Sequence, residues 1–424
     1  MPEIKVTPGD YVRFRLAKKE IEGRVLESYD KSVVLLKLKS GYNVGIPKEN
    51  ILDSKVIRKY KEEKQDKKEI SGNKNLPSIG LIVTGGTIAS KLDAKTGGVK
   101  PLTNINDFAR FYPGLFEKVN VRKIEIPFMI ESESMTSKHW IEIAKTVKKM
   151  LDDKDIRGVI ITHGTDTLHY TSSALSFFLR NLTKPVVLTY SQRSIDRASS
   201  DAALNLECSA KIAISDAAEV MIVGHASIND DFCFAIRGTK CRKMHTSRRD
   251  AFKAINDKPI AKVRADKVEF LSDYRIRNEK GKTGIDIVYS DKVALLKFYP
   301  GADPDILDHY LKNKYKGIVI EVSGLGHVSS SGKLSWIPKL RNLIKSGVIV
   351  CAAPQTLYGR LNPKVYSNGR LLEEAGVIFL EDMLPETALV KLGYVLGHRS
   401  WSKDKVKDEM LRNYAGEINE MLTE

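Results

Sequence analysis

Apolar and polar positions change rhythm twice along this 424-residue chain. Over residues 1–55, short β-branched and aromatic runs mix with charges (GDYVRFRL, IEGRVLES, SVVLLKLK, GYNVGIP), punctuated by turn signals such as Pro8-Gly9-Asp10. Several short strands at this spacing predict a small β-barrel of the SH3 sort. Its strands carry so many charges that a stand-alone core looks thin, so the barrel is expected to dock on another body. Residues 56–76, VIRKYKEEKQDKKEISGNKNL, are charged and then polar, the composition of a solvated linker.

From Ser78 the rhythm becomes alternating strand and helix. Apolar runs Gly80–Thr84, Val159–Thr162, Pro185–Tyr190 and Val220–Gly224 punctuate amphipathic stretches. In Trp140–Leu151, for instance, Ile141, Ile143, Ala144, Val147 and Leu151 recur at helical spacing. A second series follows Asp291, with strand-like Val293–Phe298, Gly317–Val322, Val348–Ala353 and Val377–Leu380 and a helical Lys333–Ser346. This alternation predicts a doubly wound α/β fold in two domains, residues 77–285 and 291–424, with mostly parallel sheets covered by helices. The charged, glycine-containing Lys258–Ser290 stretch is where the boundary falls.

Composition narrows the function classes. With 42% hydrophobic and 29% charged residues, the chain is ordinary for a globular protein. Its start, MPEIKVTPGDYVRFR, has no apolar signal region, and no apolar run is long enough for a membrane helix, so no membrane association is expected and the expected address is cytoplasmic. Cys208, Cys233, Cys241 and Cys351 form no CxxC pair, so neither a disulfide scaffold nor a metal site is expected. The net charge of +16 favours an anionic partner. The plainer account is a lysine-rich surface, because many lysines interleave with acids.

Two strand ends carry the chemistry. Leu81–Ser90 reads LIVTGGTIAS and Ile160–Thr167 reads IITHGTDT, each an apolar run closing on glycine and hydroxyl residues. In an open α/β sheet such ends converge on one crevice, where ligands bind. Paired glycines let the backbone turn sharply and bring N–H groups close to a ligand. A Walker-type phosphate loop would need a Gly-Lys-Ser/Thr ending, which the TGGT turn lacks. Thr87, Thr165 and Asp166 therefore suggest acyl transfer by an activated hydroxyl. Threonine needs a base, and a lysine in RGTKCRKMHTSRRDAF (Arg237–Phe252), either Lys240 or Lys243, is a candidate, although that segment reads equally as a solvated basic loop. His163 precedes a glycine turn and ranks below the threonines as a base. Ser132 and Glu133 either grip the charged ends of an amino acid or cap the helix that follows.

Together TGGTIAS and THGTDT resemble the two active-site signatures of the bacterial-type L-asparaginase/glutaminase family. The likeness runs over about residues 78–400, through Arg242–Phe252, GIVIEVSGLGHV and VYSNGRLLEEAGVIFLEDMLPETALVKL. It implies an asparaginase-like fold of two α/β domains. It also implies Thr87 as nucleophile, Thr165, Asp166 and Lys243 as a threonine–lysine–aspartate set, and Ser132 and Glu133 as the grip on the substrate's α-amino and α-carboxylate groups. Backbone at Gly86 and Gly164 would approach the substrate, and a neutral Lys243, lowered by burial, would serve as base. Asparaginases usually carry a tyrosine on the loop after the first threonine; Lys91–Lys100 has none, and Thr96 stands near that place. A Gly97-Gly98 loop there is expected to stay open until partners arrive.

The N-terminal segment, the linker and QRSIDRASSDAALNL (Gln192–Leu206) are further similar to the ammonia-supplying components of archaeal glutamyl-tRNA(Gln) amidotransferases. That resemblance implies a homodimer joined by a partner, the amidotransferase E subunit. The partner would use ATP and Mg²⁺ to activate Glu-tRNA(Gln), while this chain, with no cofactor of its own, hydrolyses glutamine or asparagine. A free-standing asparaginase and a nucleic-acid-binding module on an inactive scaffold are the alternatives.

Overall fold

The computed structural model describes residues 5–28, 30–39, 42–60, 73, 75–92, 99–102, 105–195, 199–264 and 266–421. The first five strands, β1 (Tyr11–Arg15), β2 (Glu20–Leu26), β3 (Val33–Lys37), β4 (Asn43–Pro47) and β5 (Asp53–Arg58), form one antiparallel sheet in the order β4-β3-β2-β1-β5. β5 returns to pair with β1, Val12 opposite Val56. The domain builds its own core from Val12, Phe14, Val25, Val34, Leu36, Ile46 and Ile51. Alternation explains this: Val12 and Phe14 point inward while Arg13 and Arg15 stay outside, so charged strands still supply a full apolar face. The last strand runs to Arg58, into the stretch read as linker.

The next strands build the sheet that carries the site. They are β6 (Ser78–Val83), β9 (Asn120–Glu125), β10 (Ile156–Thr162), β12 (Val186–Thr189), β13 (Val220–His225), β14 (Cys233–Arg237), β17 (Ala261–Val263) and β18 (Val268–Phe270). Short hairpins intervene: β7 (Ser90–Leu92) with β8 (Val99–Pro101), β11 (Leu179–Arg180) with β19 (Gly284–Ile285), and β15 (Cys241–Lys243) with β16 (Phe252–Ala254). The eight-stranded order is β18-β17-β14-β13-β12-β10-β6-β9. Its β9-β6-β10-β12-β13 half is parallel, and β14, β17 and β18 continue antiparallel. β17 and β18 thus lie inside the charged stretch taken as a boundary. Three-residue strands are too short to show an alternation in sequence.

Helices α1 (Ile105–Phe111), α2 (Pro113–Lys118), α3 (Ser137–Leu151), α4 (Leu168–Phe178) and α5 (Ala202–Ala213) accompany this sheet. The expected amphipathic helix is α3, burying Trp140, Ile143, Ala144, Val147, Met150 and Leu151. The second sheet, β20 (Val293–Lys297), β21 (Gly317–Val322), β22 (Ile349–Pro354) and β23 (Ile378–Phe379), is wholly parallel. With it go α6 (Ile306–Lys312), α7 (Ile337–Lys345), α8 (Ser367–Glu374), α9 (Pro385–Gly397) and α10 (Lys403–Leu411).

One core cluster crosses between the two α/β domains, joining Phe177 and Phe178 of α4 with Ala388, Leu392, Tyr394 and Val395 of α9. The rings of Phe177 and Tyr394 stack at 6.1 Å. A fully buried ion pair, Lys240–Asp382 at 2.5 Å, crosses the junction, and a second, Lys391–Glu417 at 2.6 Å, lies within the second domain. Glu417 also receives the Tyr414 and Ala415 N–H groups, which seats the C-terminal tail. Among the described residues no helix is long and apolar enough to cross a membrane.

Candidate active site

The two threonine turns meet back to back above β6 and β10. Because these strands pair directly, with Val83 opposite Thr162, their ends emerge side by side. Thr84 then donates through its N–H and its hydroxyl to the Thr162 carbonyl, at 3.3 and 2.8 Å. Gly86, at φ +81°, sits so close to the second turn that a Cβ there would lie 2.6 Å from both Gly164 N and His163 O. Only glycine permits that approach. Thr87 follows at once, half-buried, opening a short 3₁₀ turn to Ala89. Its hydroxyl makes no hydrogen bond among the described residues.

Lys243 completes the arrangement from a distant part of the chain. It ends β15, whose partner strand β16 sets it opposite Phe252. Its Nζ donates to Thr165 Oγ1 at 2.9 Å and to Asp166 Oδ1 at 2.7 Å. The lysine side chain is 12% exposed and the aspartate 61%, so the set opens to solvent on the carboxylate side. Lys240, the other candidate, is fully buried and turned to Asp382. The intervening loop is held by Asp250, whose carboxyl is lowered by hydrogen bonding to Arg248 and by Lys253.

Ser132 lies against the second turn. It is buried, its Oγ receives the Asp166 N–H at 3.2 Å, and its carbonyl accepts from Thr167 Oγ1 at 2.6 Å. A Cβ on Gly164 would come within 2.8 Å of Ser132 Oγ, which accounts for that glycine. Neither Ser132 nor Glu133 caps α3. The cap is Thr136, in a reciprocal box with His139. Glu133 is exposed in the 3₁₀ turn Ser132–Ser134 beside the crevice. The expected loop with Thr96 and Gly97-Gly98 lies outside the described residues; its stem is the β7–β8 pairing, Lys91 opposite Lys100.

His163 supports the turn and is no base. It is fully buried, with Nδ1 2.7 Å from the Gly164 carbonyl and Nε2 2.9 Å from Thr171 Oγ1. Burial pushes its pKa down to about 4. His169, also buried, falls to about 3, through burial first and then the charges of Arg242 and Lys243. Both folded values lie below the ordinary ~6.5, so the unfolded chain binds protons that the folded chain refuses. Stability is therefore whole above pH ~6.5 and drains as the pH falls toward 4, by up to about 3 kcal/mol for His163 alone. The urea midpoint should stay level from pH 8 to 6.5 and then decline, with a shallower decline in His163→Gln. An equal decline in that variant would count against the buried imidazole.

Sequence pattern gives almost no sign of the carboxylates that face this hairpin from the second domain. Arg242, beside Lys243, reaches Glu386 Oε1 at 2.9 Å. Burial raises the Glu386 carboxyl, and the Arg242 guanidinium opposes that rise. Its Oε2 is buried without a partner. The only hint in the sequence is the acid after Pro385 at a helix start, a common position for helix-dipole reasons alone. All four cysteines are buried free thiols. Among the described residues no group of three or more His, Cys, Asp or Glu side chains is placed to hold a metal ion.

Comparison with known proteins agrees with this architecture. Residues 78–275 match the family described as asparaginase, N-terminal, residues 292–410 the glutaminase/asparaginase C-terminal domain, and residues 6–57 the GatD N-terminal domain. The D subunit of the Pyrococcus furiosus glutamyl-tRNA(Gln) amidotransferase is 51% identical over 421 residues, 97% of this chain and 94% of that protein. The Thermococcus kodakarensis protein of the same name is 49% identical over 423 residues, 97% and 94% of the two chains. Among solved structures, the thermostable L-asparaginase from Thermococcus kodakarensis superposes with a TM-score of 0.72 at 31% identity, over 81% of this chain and 100% of that one. L-asparaginase I from Vibrio cholerae gives 0.68 at 27%, over 81% and 99%. With an N-terminal β domain, two asparaginase-type domains and relatives half identical over nearly its whole length, the chain belongs to the D-subunit family of glutamyl-tRNA(Gln) amidotransferases.

Proposed function

We propose that this chain hydrolyses the side-chain amide of glutamine or asparagine and supplies the ammonia to a tRNA-dependent amidotransferase. The observation that carries this reading is the Lys243 Nζ, shared between Thr165 Oγ1 at 2.9 Å and Asp166 Oδ1 at 2.7 Å, on the turn that Gly86 brings against Thr87. Thr87 Oγ attacks the amide carbon, its proton passing to the uncharged Lys243 amine of the Thr165–Lys243–Asp166 set. The C–N bond breaks, that proton returns to the departing nitrogen, and ammonia leaves. Water then cleaves the threonyl ester to release the amino acid. Backbone N–H groups at Gly86 and Gly164 are suited to the developing oxyanion, each such donor contributing on the order of 2.7–4 kcal/mol. Ser132 and Glu133, at the crevice edge, take the α-amino and α-carboxylate groups.

The relatives, named as the D subunit of glutamyl-tRNA(Gln) amidotransferases, support a place in a multi-subunit amidotransferase. In our reading that assembly is a homodimer of this chain joined by the amidotransferase E subunit, which uses ATP and Mg²⁺ to activate Glu-tRNA(Gln). This chain needs no cofactor for its half of the reaction, and the assembly works in the cytoplasm. The test is ammonia release from glutamine by the purified chain, alone and with the E subunit plus Glu-tRNA(Gln). Faster release in the complete mixture is expected, together with ATP-dependent formation of Gln-tRNA(Gln). Equal rates in both would favour a free-standing asparaginase, and no release in either would leave an inactive scaffold.

A further inference from the structure

Lys243 does not fix its own position. It ends a strand of three residues, on a hairpin that belongs to neither large sheet. Lys240, Arg242 and Lys243 crowd into one short stretch, and each has its own carboxylate. Lys243 takes Asp166. Lys240 takes Asp382 at 2.5 Å with both side chains fully buried, and Arg242 takes Glu386 at 2.9 Å with 24% and 9% exposed. The last two carboxylates come from the second domain and flank the start of α9. The same first turn of α9 holds more of the site. Thr387 Oγ1 donates to the Thr239 carbonyl at 3.0 Å, just before Lys240, and meets Ser173 Oγ of α4 at 3.0 Å. α4 in turn begins directly after Thr165-Asp166-Thr167. One helical turn of the second domain therefore grips both the segment that bears Lys243 and the helix that bears its partners.

We propose that Glu386 and Asp382 are positioning residues for Lys243, holding β15 through Arg242 and Lys240 so that its Nζ meets Thr165 and Asp166. This rests on the assignment of Lys243 as the base. Glu386 is the carboxylate to test, because its loss leaves the wholly buried pair in place. A displacement of the order of 1 Å at a reacting group costs roughly 10²-fold in rate.

The full chain carrying Glu386→Gln should lose roughly 10²-fold in kcat for glutamine. KM should move by less than about two-fold, because no contact to the substrate is removed. Its thermal midpoint should stay close to the parent's. Exchanging the charges in Arg242→Glu/Glu386→Arg should recover about tenfold of that loss, which a helix-start role for Glu386 would not produce. A kcat within two-fold of the parent overturns the proposal, as does a charge exchange no better than Glu386→Gln, or a loss confined to KM. Full activity in Lys243→Leu overturns the base assignment and the positioning role together. Loss there with a normal Glu386→Gln overturns the positioning role alone.

Discussion

Lys243→Leu is expected to abolish amide hydrolysis while the protein remains folded. The lysine stem packs in a half-closed crevice, its side chain only 12% exposed, and leucine retains most of that apolar contact. What leaves is the amine bridging Thr165 and Asp166. A positioned acid–base group contributes roughly 10²–10⁴-fold, and the threonine hydroxyl has no other amine within reach among the described residues, since Lys240 is committed to Asp382. Thr87→Val should be as severe, for it deletes the attacking oxygen at nearly constant shape. Thr165→Val and Asp166→Asn should likewise abolish turnover, each cutting one arm of the set. Ammonia release, measured beside circular dichroism and thermal melting, checks this. Retained turnover in Lys243→Leu with an unchanged melt would remove the proposed base.

The largest stability effect is expected from Asp382→Ala. That change strands the Lys240 ammonium at a site with no exposure to water, and it also strips the acceptor from the Asn419 N–H and side-chain amide at 3.0 Å each. Breaking one side of a buried pair costs about 3–5 kcal/mol, because the remaining charge is desolvated without compensation. Burial already lowers the Lys240 pKa, and Asp382 is what opposes that fall. Removing both charges in Lys240→Met/Asp382→Leu should cost far less, since well-packed apolar replacements of buried pairs are often neutral. As a contrast, Lys364→Ala, which breaks an ion pair of Lys364 and Glu373 whose side chains are 70% and 41% exposed, should change stability by about 0–1 kcal/mol. Urea unfolding followed by tryptophan fluorescence measures all three. A loss below about 1 kcal/mol in Asp382→Ala would mean that water or a shifted side chain satisfies Lys240.

Much of the scaffold follows from local pattern. Apolar runs at β6, β10, β12, β13, β21 and β22 are long enough, and flanked by clear enough turns, that their strand character is visible without coordinates. The same holds for α3, whose buried face repeats at helical spacing. The three-residue strands β15, β16, β17 and β18 are different. β15 with β16 and β17 with β18 pair locally, Lys243 opposite Phe252 and Val263 opposite Val268, but each strand is too short to show a period, and β17 joins the large sheet only by docking on β14, Cys233 opposite Val263. The small β domain shows a related limit: counting charges underestimates its core, because alternation directs every second residue inward.

At the site, TGGT alone also reads as a structural turn, and it is HGTDT, a second hydroxyl-bearing turn with an adjoining aspartate at another strand end, that points to an activated hydroxyl. Which lysine joins them is undecidable from spacing, since Lys240 and Lys243 share one basic segment. Ser132 is visible as a candidate, but its grip on Asp166 and Thr167 is not. Short-range chemistry in the chain thus determines the kind of reaction and the strands that present it: backbone freedom at glycine and the reactivity of a hydroxyl are properties of single residues. The choice of Lys243 over Lys240, and the pairing of Arg242 and Lys240 with carboxylates far along the chain, belongs to the tertiary structure. A charge selects its partner by proximity in a low-dielectric interior, and that proximity exists only once the two α/β domains have packed.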